Sequence, residues 1–223
     1  ELRAVDGVGI ADRTVLGIMR ELGLRCPIRR GRAYRRHRSY RGVVGRTFGN
    51  VIGRGFSADG PWRKMGADVA GFRLSSGKAC LAPVYDFAGK EIVARCVSRG
   101  PSMLRRQRML AGLFAAKPGG ARPMLHSDMG WQCQRASYVN ALAGNGFVQS
   151  MSRKGNRLDN AATEQVFGHL RDEFFRGRDR DTFEGFKTDL DECIWRWNHV
   201  RRQVKLDGMT PVEYRDRALQ KAA

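Results

Sequence analysis

The sequence predicts an α/β protein in which helices cover a mixed sheet. Three strand-like segments, 65–74, 79–87 and 91–98, follow one another with short polar turns between them, which indicates a three-strand antiparallel meander. From residue 100 onward the apolar pattern alternates between helical and strand spacing, which is typical of parallel strands joined by helices. Together these observations predict a meander extended by parallel strands, with helices flanking the sheet.

The individual elements follow from apolar spacing and from the residues that interrupt it. Apolar side chains at helical spacing over 13–22 predict a short amphipathic helix that Gly23 ends. Pro83 lies inside the second strand and has no N–H to donate, so it predicts an irregularity or an exposed edge there. The later predicted elements are helices over 102–116, 135–144, about 160–175 and about 182–199, and strands at 122–127 and 147–151.

The charge balance indicates a polyanionic partner. The chain has 41 Lys and Arg against 22 Asp and Glu, a formal net charge of +19, and DNA or RNA is the leading candidate. A genome rich in arginine codons is the alternative source of this charge. Five cysteines without a Cys-x-x-Cys pair favour a reducing cytosol over a disulfide framework or a zinc knuckle. No signal peptide and no apolar run near the roughly 20 residues of a membrane span are found, so we expect a cytoplasmic protein without a membrane partner.

The segment from Arg25 to Arg54 has the composition of a DNA-binding arm. It contains ten arginines and no acidic residue, with Tyr34, Tyr40 and Phe48 interleaved. Such a mixture suits contact with phosphates and bases better than packing in a core. A disordered charged linker is the alternative, and both interpretations hold if the arm becomes ordered only on DNA.

Three carboxylates are candidates for a single site. We expect Asp68 inside the first strand among apolar neighbours, where an ionised carboxylate needs a cation or a hydrogen-bond donor. Asp128 follows the strand at 122–127, at the carboxyl end where ligands of α/β sheets usually bind. Glu164 falls beside the apolar stripe of its helix, so it can reach the sheet edge without being buried. The three acids can therefore converge.

Such a group of carboxylates suits metal-dependent chemistry on phosphodiesters. Hard oxygen ligands favour Mg²⁺ or Mn²⁺, and two ions about 3.5–4 Å apart can activate an attacking oxygen and stabilise a leaving one. The alternative is that each acid acts separately as a helix cap, an ion-pair partner or a solvated surface group.

The loop at 150–160 precedes Glu164 and is basic. Asp159 or Asn160 is expected to cap the following helix, and Arg153 and Lys154 are expected to contact phosphates beside the metals. A simple capped loop is the alternative. His126 has two interpretations, a satisfied core histidine or a member of the site.

The chain resembles the transposases of the insertion sequence three group, encoded by the second reading frame of the element, whose catalytic core is similar to retroviral integrase. The resemblance covers essentially the whole chain, and 15–30 looks like the helix that ends the family's helix-turn-helix segment. Its most specific blocks, in order, are 125–132, 150–160, 164–171, 197–201 and 210–214.

This resemblance implies a ribonuclease-H-like core with a D,D(35)E triad, carried here by Asp68, Asp128 and Glu164 as catalytic and metal-binding residues. It implies cleavage of DNA at the element's end with Mg²⁺ or Mn²⁺, in two ions, and transfer of the 3′ hydroxyl to target DNA. The implied setting is a homo-oligomer on DNA at the bacterial nucleoid, with the upstream-frame protein of the element as a candidate partner. The residues predicted to contact DNA are Arg153, Lys154, Asn156, Asn160, Arg29, Arg30, Arg35, Arg36 and Arg201.

Residues around Asp68 depart from the family pattern. Over 65–72 the aspartate is kept, but an aromatic, two hydroxyls and an acid are absent. Together with a first residue that is not methionine, this raises the alternative of a truncated or decayed, inactive DNA-binding remnant. A ribonuclease-H-type nuclease is a third interpretation, which the 152–160 loop disfavours. The expected domains are a helix-turn-helix remnant and basic arm at 1–59, the catalytic core at 60–200 and a tail at 201–223.

Overall fold

The computed structural model describes residues 6–25, 47–100, 102–153, 156–175 and 182–222. Arg29, Arg30, Arg35, Arg36 and Lys154, predicted to contact DNA, lie outside these described residues. The helices are α1 (Asp12–Glu21), α2 (Met103–Ala116), α3 (Ala136–Gly144), α4 (Ala161–His169), α5 (Phe183–His199) and α6 (Pro211–Ala222). The strands are β1 (Lys64–Ala67), β2 (Ala70–Leu74), β3 (Gly77–Asp86), β4 (Ile92–Ser98), β5 (Met124–Ser127) and β6 (Val148–Met151).

The sheet combines an antiparallel half with a parallel half. Strand β3 pairs antiparallel with β1 and β2 on one side and with β4 on the other. Strand β1 also pairs in parallel with β5, and β5 pairs in parallel with β6. The predicted meander with added parallel strands is therefore confirmed.

The first predicted strand, 65–74, is interrupted at Asp68 and Val69, so the expectation that Asp68 lies inside a strand is wrong. Both β1 and β2 keep one register against β3, with Ala67 opposite Val84 and Ala70 opposite Leu81. That register puts Asp68 opposite Pro83, which has no N–H for a ladder hydrogen bond.

The irregularity predicted from Pro83 is confirmed, and it has a second part. The pairing of β3 with β4 shifts register between Val84 and Tyr85, directly after the proline. The alternative of an exposed edge is wrong, because β3 is paired on both sides.

Helices pack on both faces of the sheet and bury two apolar clusters. Helices α4 and α5 cover the face that carries Phe72, Leu81 and Phe87. Helices α2 and α3 cover the opposite face, which carries Met65 and Leu125.

The chain at 170–175 continues α4 in a wider π-helical form, so the helix extends to Phe175 as predicted. None of the described helices is long and apolar enough to cross a membrane.

Residues beyond 200, expected as a tail, include a helix that joins the sheet. Thr210 and Glu213 form a capping box at the start of α6, with Glu213 Oε2 accepting the Thr210 N–H at 2.9 Å and Thr210 Oγ1 accepting the Glu213 N–H at 3.3 Å. Further along α6, Arg215 pairs with the buried carboxylate of Glu91, just before β4. This helix is therefore attached to the antiparallel half of the sheet.

Candidate active site

Asp68 and Asp128 directly follow the last residues of β1 and β5, two neighbouring parallel strands. The register of β1 against β5 pairs Ala67 with Ser127, so the two aspartates are the next residues on each strand. Neighbouring strands lie about 4.8 Å apart. The two aspartates thus lie side by side at the carboxyl edge of the parallel strands, where the sequence predicted Asp128 but not Asp68.

Asp68 is held by donors on both of its carboxylate oxygens. Its Oδ1 accepts the N–H of Val69 at 2.7 Å, a backbone donor at the interruption between β1 and β2. Its Oδ2 accepts Nδ2 of Asn160 at 3.0 Å. Burial, the Asp128 carboxylate and, more weakly, Glu164 raise the pKa of Asp68 to about 7, against the smaller opposing effects of the Val69 N–H and Arg106.

Asp128 is more exposed and is approached by a buried arginine. Its side chain is 47% exposed, and Oδ1 accepts the Gly130 N–H at 3.2 Å. Arg106 of α2, whose side chain is only 4% exposed, has Nη2 3.9 Å from the same oxygen. Arg106 is fixed in turn by its Nε–H, which donates to Oε1 of Gln132 at 3.1 Å. The buried guanidinium of Arg106 thus lies on the protein side of Asp128, the more exposed of the two aspartates.

Sequence reasoning missed Arg106. The signal available in the sequence was the position of Arg106, which continues the helical spacing of Met109, Leu110 and Leu113 on the apolar stripe of α2. The structure buries all four of these residues. An arginine within a buried stripe needs a partner, and Asp128 provides one.

Glu164 lies on the exposed side of α4, next to the buried Thr163, and the apolar stripe predicted beside it is confirmed. The helix packs closely on β1 because Gly66 has no side chain. A Cβ at Gly66 would lie 2.3 Å from Oγ1 of Thr163 and 2.7 Å from Cζ of Phe87. Gly66 is two residues before Asp68, so this contact brings Glu164 near enough to influence the Asp68 carboxyl.

The oxygen atoms at this edge are of the kind that binds Mg²⁺ or Mn²⁺, but they are not close enough together to surround an ion. They come from three carboxylates, and Oδ1 of Asn160 is buried with no hydrogen-bond partner in the described part of the chain. Among the described residues, no three His, Cys, Asp or Glu side chains stand close enough to hold a single ion. The residues therefore fit a divalent cation in kind, and binding one would require the carboxylates to draw together.

Asp159 does not cap α4 as expected but binds two arginines. Its buried carboxylate accepts the Nε–H of Arg153 at 2.9 Å, Nη2 of Arg153 at 3.0 Å and the Arg153 backbone N–H at 3.0 Å. Nε of Arg54 donates to it as well, at 3.1 Å. The hydrogen bonds from Arg153 hold the pKa of Asp159 well below its usual range. Asn160 also makes no side-chain cap, because its amide donates to Asp68.

His126 is a satisfied core histidine. Oγ of Ser150 accepts the N–H groups of Val51 and Ile52, so its own hydrogen is available to Nδ1 of His126 at 3.0 Å. Nε2 lies 2.8 Å from the carbonyl oxygen of Asp159, which can only accept, so Nε2 carries the proton. Burial lowers the pKa of His126, which agrees with this neutral form.

The remaining residues predicted to contact DNA are spread over two regions. Arg153 lies beside Asp159, and the N–H of Asn156 donates to the carbonyl of Arg153 at 3.1 Å. Arg201 is instead paired with Glu173 and stacks on the Trp197 ring, 4.5 Å from its centroid. The structure therefore brings Asn160 into contact with Asp68, holds Arg153 on the neighbouring Asp159 with Asn156 bonded to Arg153, and gives Arg201 a separate ion pair.

Comparison with known proteins identifies close relatives. A transposase-like protein of Haemophilus influenzae is 40% identical over 212 residues, which cover 95% of this chain and 96% of that protein. The InsK transposase for insertion sequence element IS150 of Escherichia coli is 38% identical over 95% of this chain and 73% of its own. The InsF transposase for IS3A of the same organism is 28% identical over 98% of this chain and 75% of its own.

Structural comparison gives the fold. The chain superposes on a simian T-cell lymphotropic virus intasome in complex with a PP2A regulatory subunit with a TM-score of 0.58, at 14% identity, over 93% of this chain and 67% of that one. The HTLV-2 integrase catalytic core domain in complex with magnesium gives a TM-score of 0.51 at 13% identity, over 70% of this chain and 97% of its own. The fold is thus the ribonuclease-H-like fold of integrase cores. Residues 164–219 match the Integrase core domain family. The chain belongs to the transposases of the insertion sequence three group.

Proposed function

We propose that this protein cuts DNA at the ends of a mobile element and joins the freed 3′ hydroxyl to a second phosphodiester. One observation carries the proposal. Asp68 and Asp128 follow a register-paired end of two parallel strands, and Glu164 lies on the helix that packs against the first of these strands at Gly66. Three acids from three separate elements, gathered at one sheet edge in a transposase of this group, suit phosphodiester chemistry better than three unrelated structural roles.

In this proposal Asp68, Asp128 and Glu164 supply carboxylate oxygens to Mg²⁺ or Mn²⁺, in two ions. Such ions, when bound, activate the attacking oxygen and stabilise the leaving oxygen. Asn160 orients Asp68 through Oδ2, and Arg106 orients Asp128 from behind. The structure of the HTLV-2 integrase catalytic core domain, which has the same fold, was determined in complex with magnesium, and this supports the choice of cation.

DNA is the proposed partner, as both element end and target. The net charge of +19 supports strong, salt-dependent attraction to it. Arg153, Asn156 and Asn160 are the proposed DNA contacts beside the carboxylates, together with Lys154, the arm arginines Arg29, Arg30, Arg35 and Arg36, and Arg201. A homo-oligomer on DNA at the bacterial nucleoid, with the upstream-frame protein as a further partner, completes the proposal.

The alternative is a decayed protein that binds DNA without catalysis. The altered residues at 65–72 motivate it, yet they pack without conflict, since Gly66 leaves room for Thr163 and Phe87. The fold therefore accommodates the changed motif, and activity measurements decide between the two.

The test compares the wild-type protein with Asp128→Asn in a joining assay. Wild-type protein with Mg²⁺ is expected to join an oligonucleotide bearing the element end to target DNA. The variant is expected to lose at least roughly a hundredfold in joining rate, because a neutral amide cannot replace the carboxylate ligand. DNA affinity, measured by fluorescence anisotropy, is expected to remain.

Glu213→Gln is a suitable control, since Glu213 caps α6 and lies outside the carboxylate edge. Joining that survives Asp128→Asn would overturn the site assignment. End-specific binding by wild-type protein without any metal-dependent cleavage would select the decayed alternative.

A further inference from the structure

The carboxylate of Asp159 gathers two arginines that are far apart in the sequence. Arg54 and Arg153 both donate to it, across 105 and 6 positions of chain. Its side chain is fully buried, whereas those of Arg54 and Arg153 are 46% and 60% exposed. Two cations and one anion leave a net positive charge, and that charge lies on the exposed guanidinium groups.

The two guanidinium groups keep donors for a further acceptor. Arg54 commits its Nε–H to Asp159, and Arg153 commits its Nε–H and one Nη2 hydrogen. A guanidinium carries its other N–H donors on the same planar fork, which matches the oxygens of a phosphate. Because the inner side of each fork is fixed by a buried carboxylate, little side-chain entropy remains to be lost on binding an anion.

This arginine pair is connected directly to the carboxylate edge. The carbonyl of Asp159 accepts Nε2–H of His126, the residue two positions before Asp128. The next residue, Asn160, donates to Asp68. An anion bound by the two arginines would therefore lie close to the candidate metal site, because Asp159, which holds the arginines, is followed directly by Asn160, which contacts Asp68.

A purely structural tie explains part of this arrangement. It accounts for the burial of Asp159 and for the attachment of residues 51–54 to the core through Ser150. A single arginine would neutralise Asp159, however, and the second one adds an exposed positive charge next to the site. The surplus charge points to an external anion.

We propose that Arg54 and Arg153 form one subsite for a phosphate of the DNA backbone, and that Asp159 is the positioning residue that holds the two guanidinium groups together. This inference rests on the proposed action on DNA. It adds Arg54 to the DNA contacts and gives Asp159 a role that helix capping does not provide.

The test measures the affinity for a duplex oligonucleotide of arbitrary sequence as a function of salt concentration. Removing one arginine–phosphate interaction should reduce the slope of log affinity against log salt by about 0.9. Arg54→Gln and Arg153→Gln are each expected to lower the slope by roughly this amount and to weaken binding roughly tenfold at low salt. Each single variant leaves one arginine that Asp159 neutralises, so the first substitution already removes the net positive charge of the subsite, and the double variant is expected to lose little further affinity.

Three further variants separate the subsite from general charge and from folding. Arg73→Gln removes one positive charge from the exposed face of β2 and should leave the slope within error of the wild type. Arg54→Lys retains the charge and should restore most of the slope. Asp159→Asn adds positive charge to the protein, yet is expected to weaken DNA binding because the two forks lose their anchor.

Circular dichroism and thermal melting are the measurements that check whether each variant is folded. Additive effects in the double variant, an unchanged slope in Arg54→Gln, or tighter binding by Asp159→Asn would each overturn the subsite. These outcomes leave the proposed joining activity untouched, which stands or falls with Asp128→Asn.

Discussion

Asp68 has the most strongly perturbed carboxyl group of the candidate active site. Burial and the neighbouring acids raise its pKa to about 7, whereas an unfolded chain has an ordinary value of 3.8. The folded protein therefore binds a proton at Asp68 more tightly than the unfolded chain does. As a result, the contribution of Asp68 to the free energy of unfolding falls as pH rises from about 4 to about 7.

We therefore predict that Asp68→Asn stabilises the metal-free protein above neutral pH. In EDTA the variant should match the wild type near pH 4 and exceed its free energy of unfolding by roughly 1–3 kcal/mol at pH 8. Asn160 can accommodate the new amide by turning its unpartnered Oδ1 toward it. Urea unfolding across pH measures the difference, and parallel pH curves for the two proteins would contradict it.

Magnesium provides a control for this prediction. At pH 8 the wild-type melting temperature should rise with added Mg²⁺, because the cation relieves the repulsion among the carboxylates and binds only the folded form. Asp68→Asn should gain much less, since one ligand is missing. An equal gain in both proteins would place the cation elsewhere.

At the scale of elements, the contact of α4 with β1 determines where Glu164 lies. A methyl group at Gly66 would collide with Thr163 and Phe87. Gly66→Ala is expected to lower the free energy of unfolding by about 1–3 kcal/mol through overpacking. The helix would also shift away from the sheet, so DNA joining should fall further than stability alone explains.

Gly71→Ala is the matched control for this change. Gly71 lies on β2, and a Cβ there meets nothing within 4 Å. Its effect on thermal melting should be within about 0.5 kcal/mol of zero. Similar destabilisation in both variants would show that the packing of α4 on β1 is not the cause.

The sequence was sufficient to predict elements that depend on local patterns. It was insufficient to predict features that depend on residues far apart in the chain. The meander, the helix stripe beside Glu164 and the strand end at Asp128 follow from apolar spacing, and the structure confirms them. The interruption at Asp68 depends on which residue lies opposite it, and only the register identifies Pro83. The capping box at Thr210 was a readable local signal for α6, followed by proline at the first helical position.

At the scale of the whole molecule, α6 ties the C-terminal part of the chain to the antiparallel half of the sheet. Arg215 pairs with Glu91, whose side chain is only 7% exposed. Nearby, Asn198 of α5 accepts the N–H of Ile92 and donates to its carbonyl, both at 3.0 Å. The start of β4 is thereby held by two successive C-terminal helices.

Loss of the Arg215 partner should destabilise the whole fold. Arg215→Met keeps much of the side-chain volume but leaves Glu91 as a buried, unpaired carboxylate, so we predict a decrease of about 3 kcal/mol in the free energy of unfolding. Arg217→Met, a change on the same helix at a residue without that buried partner, should alter stability much less. Equal urea midpoints for the two variants would contradict the role assigned to α6.

The hydroxyl of Ser150 joins segments that are made at very different times. It binds the N–H groups of Val51 and Ile52, which precede it by 99 and 98 positions. During synthesis those residues leave the ribosome long before their partner exists, and closing so long a loop is entropically costly. We therefore expect residues 51–54 to dock late in folding, after β5 and β6 have paired. The arginine pair on Asp159 would then assemble only in a chain that has already formed its parallel strands.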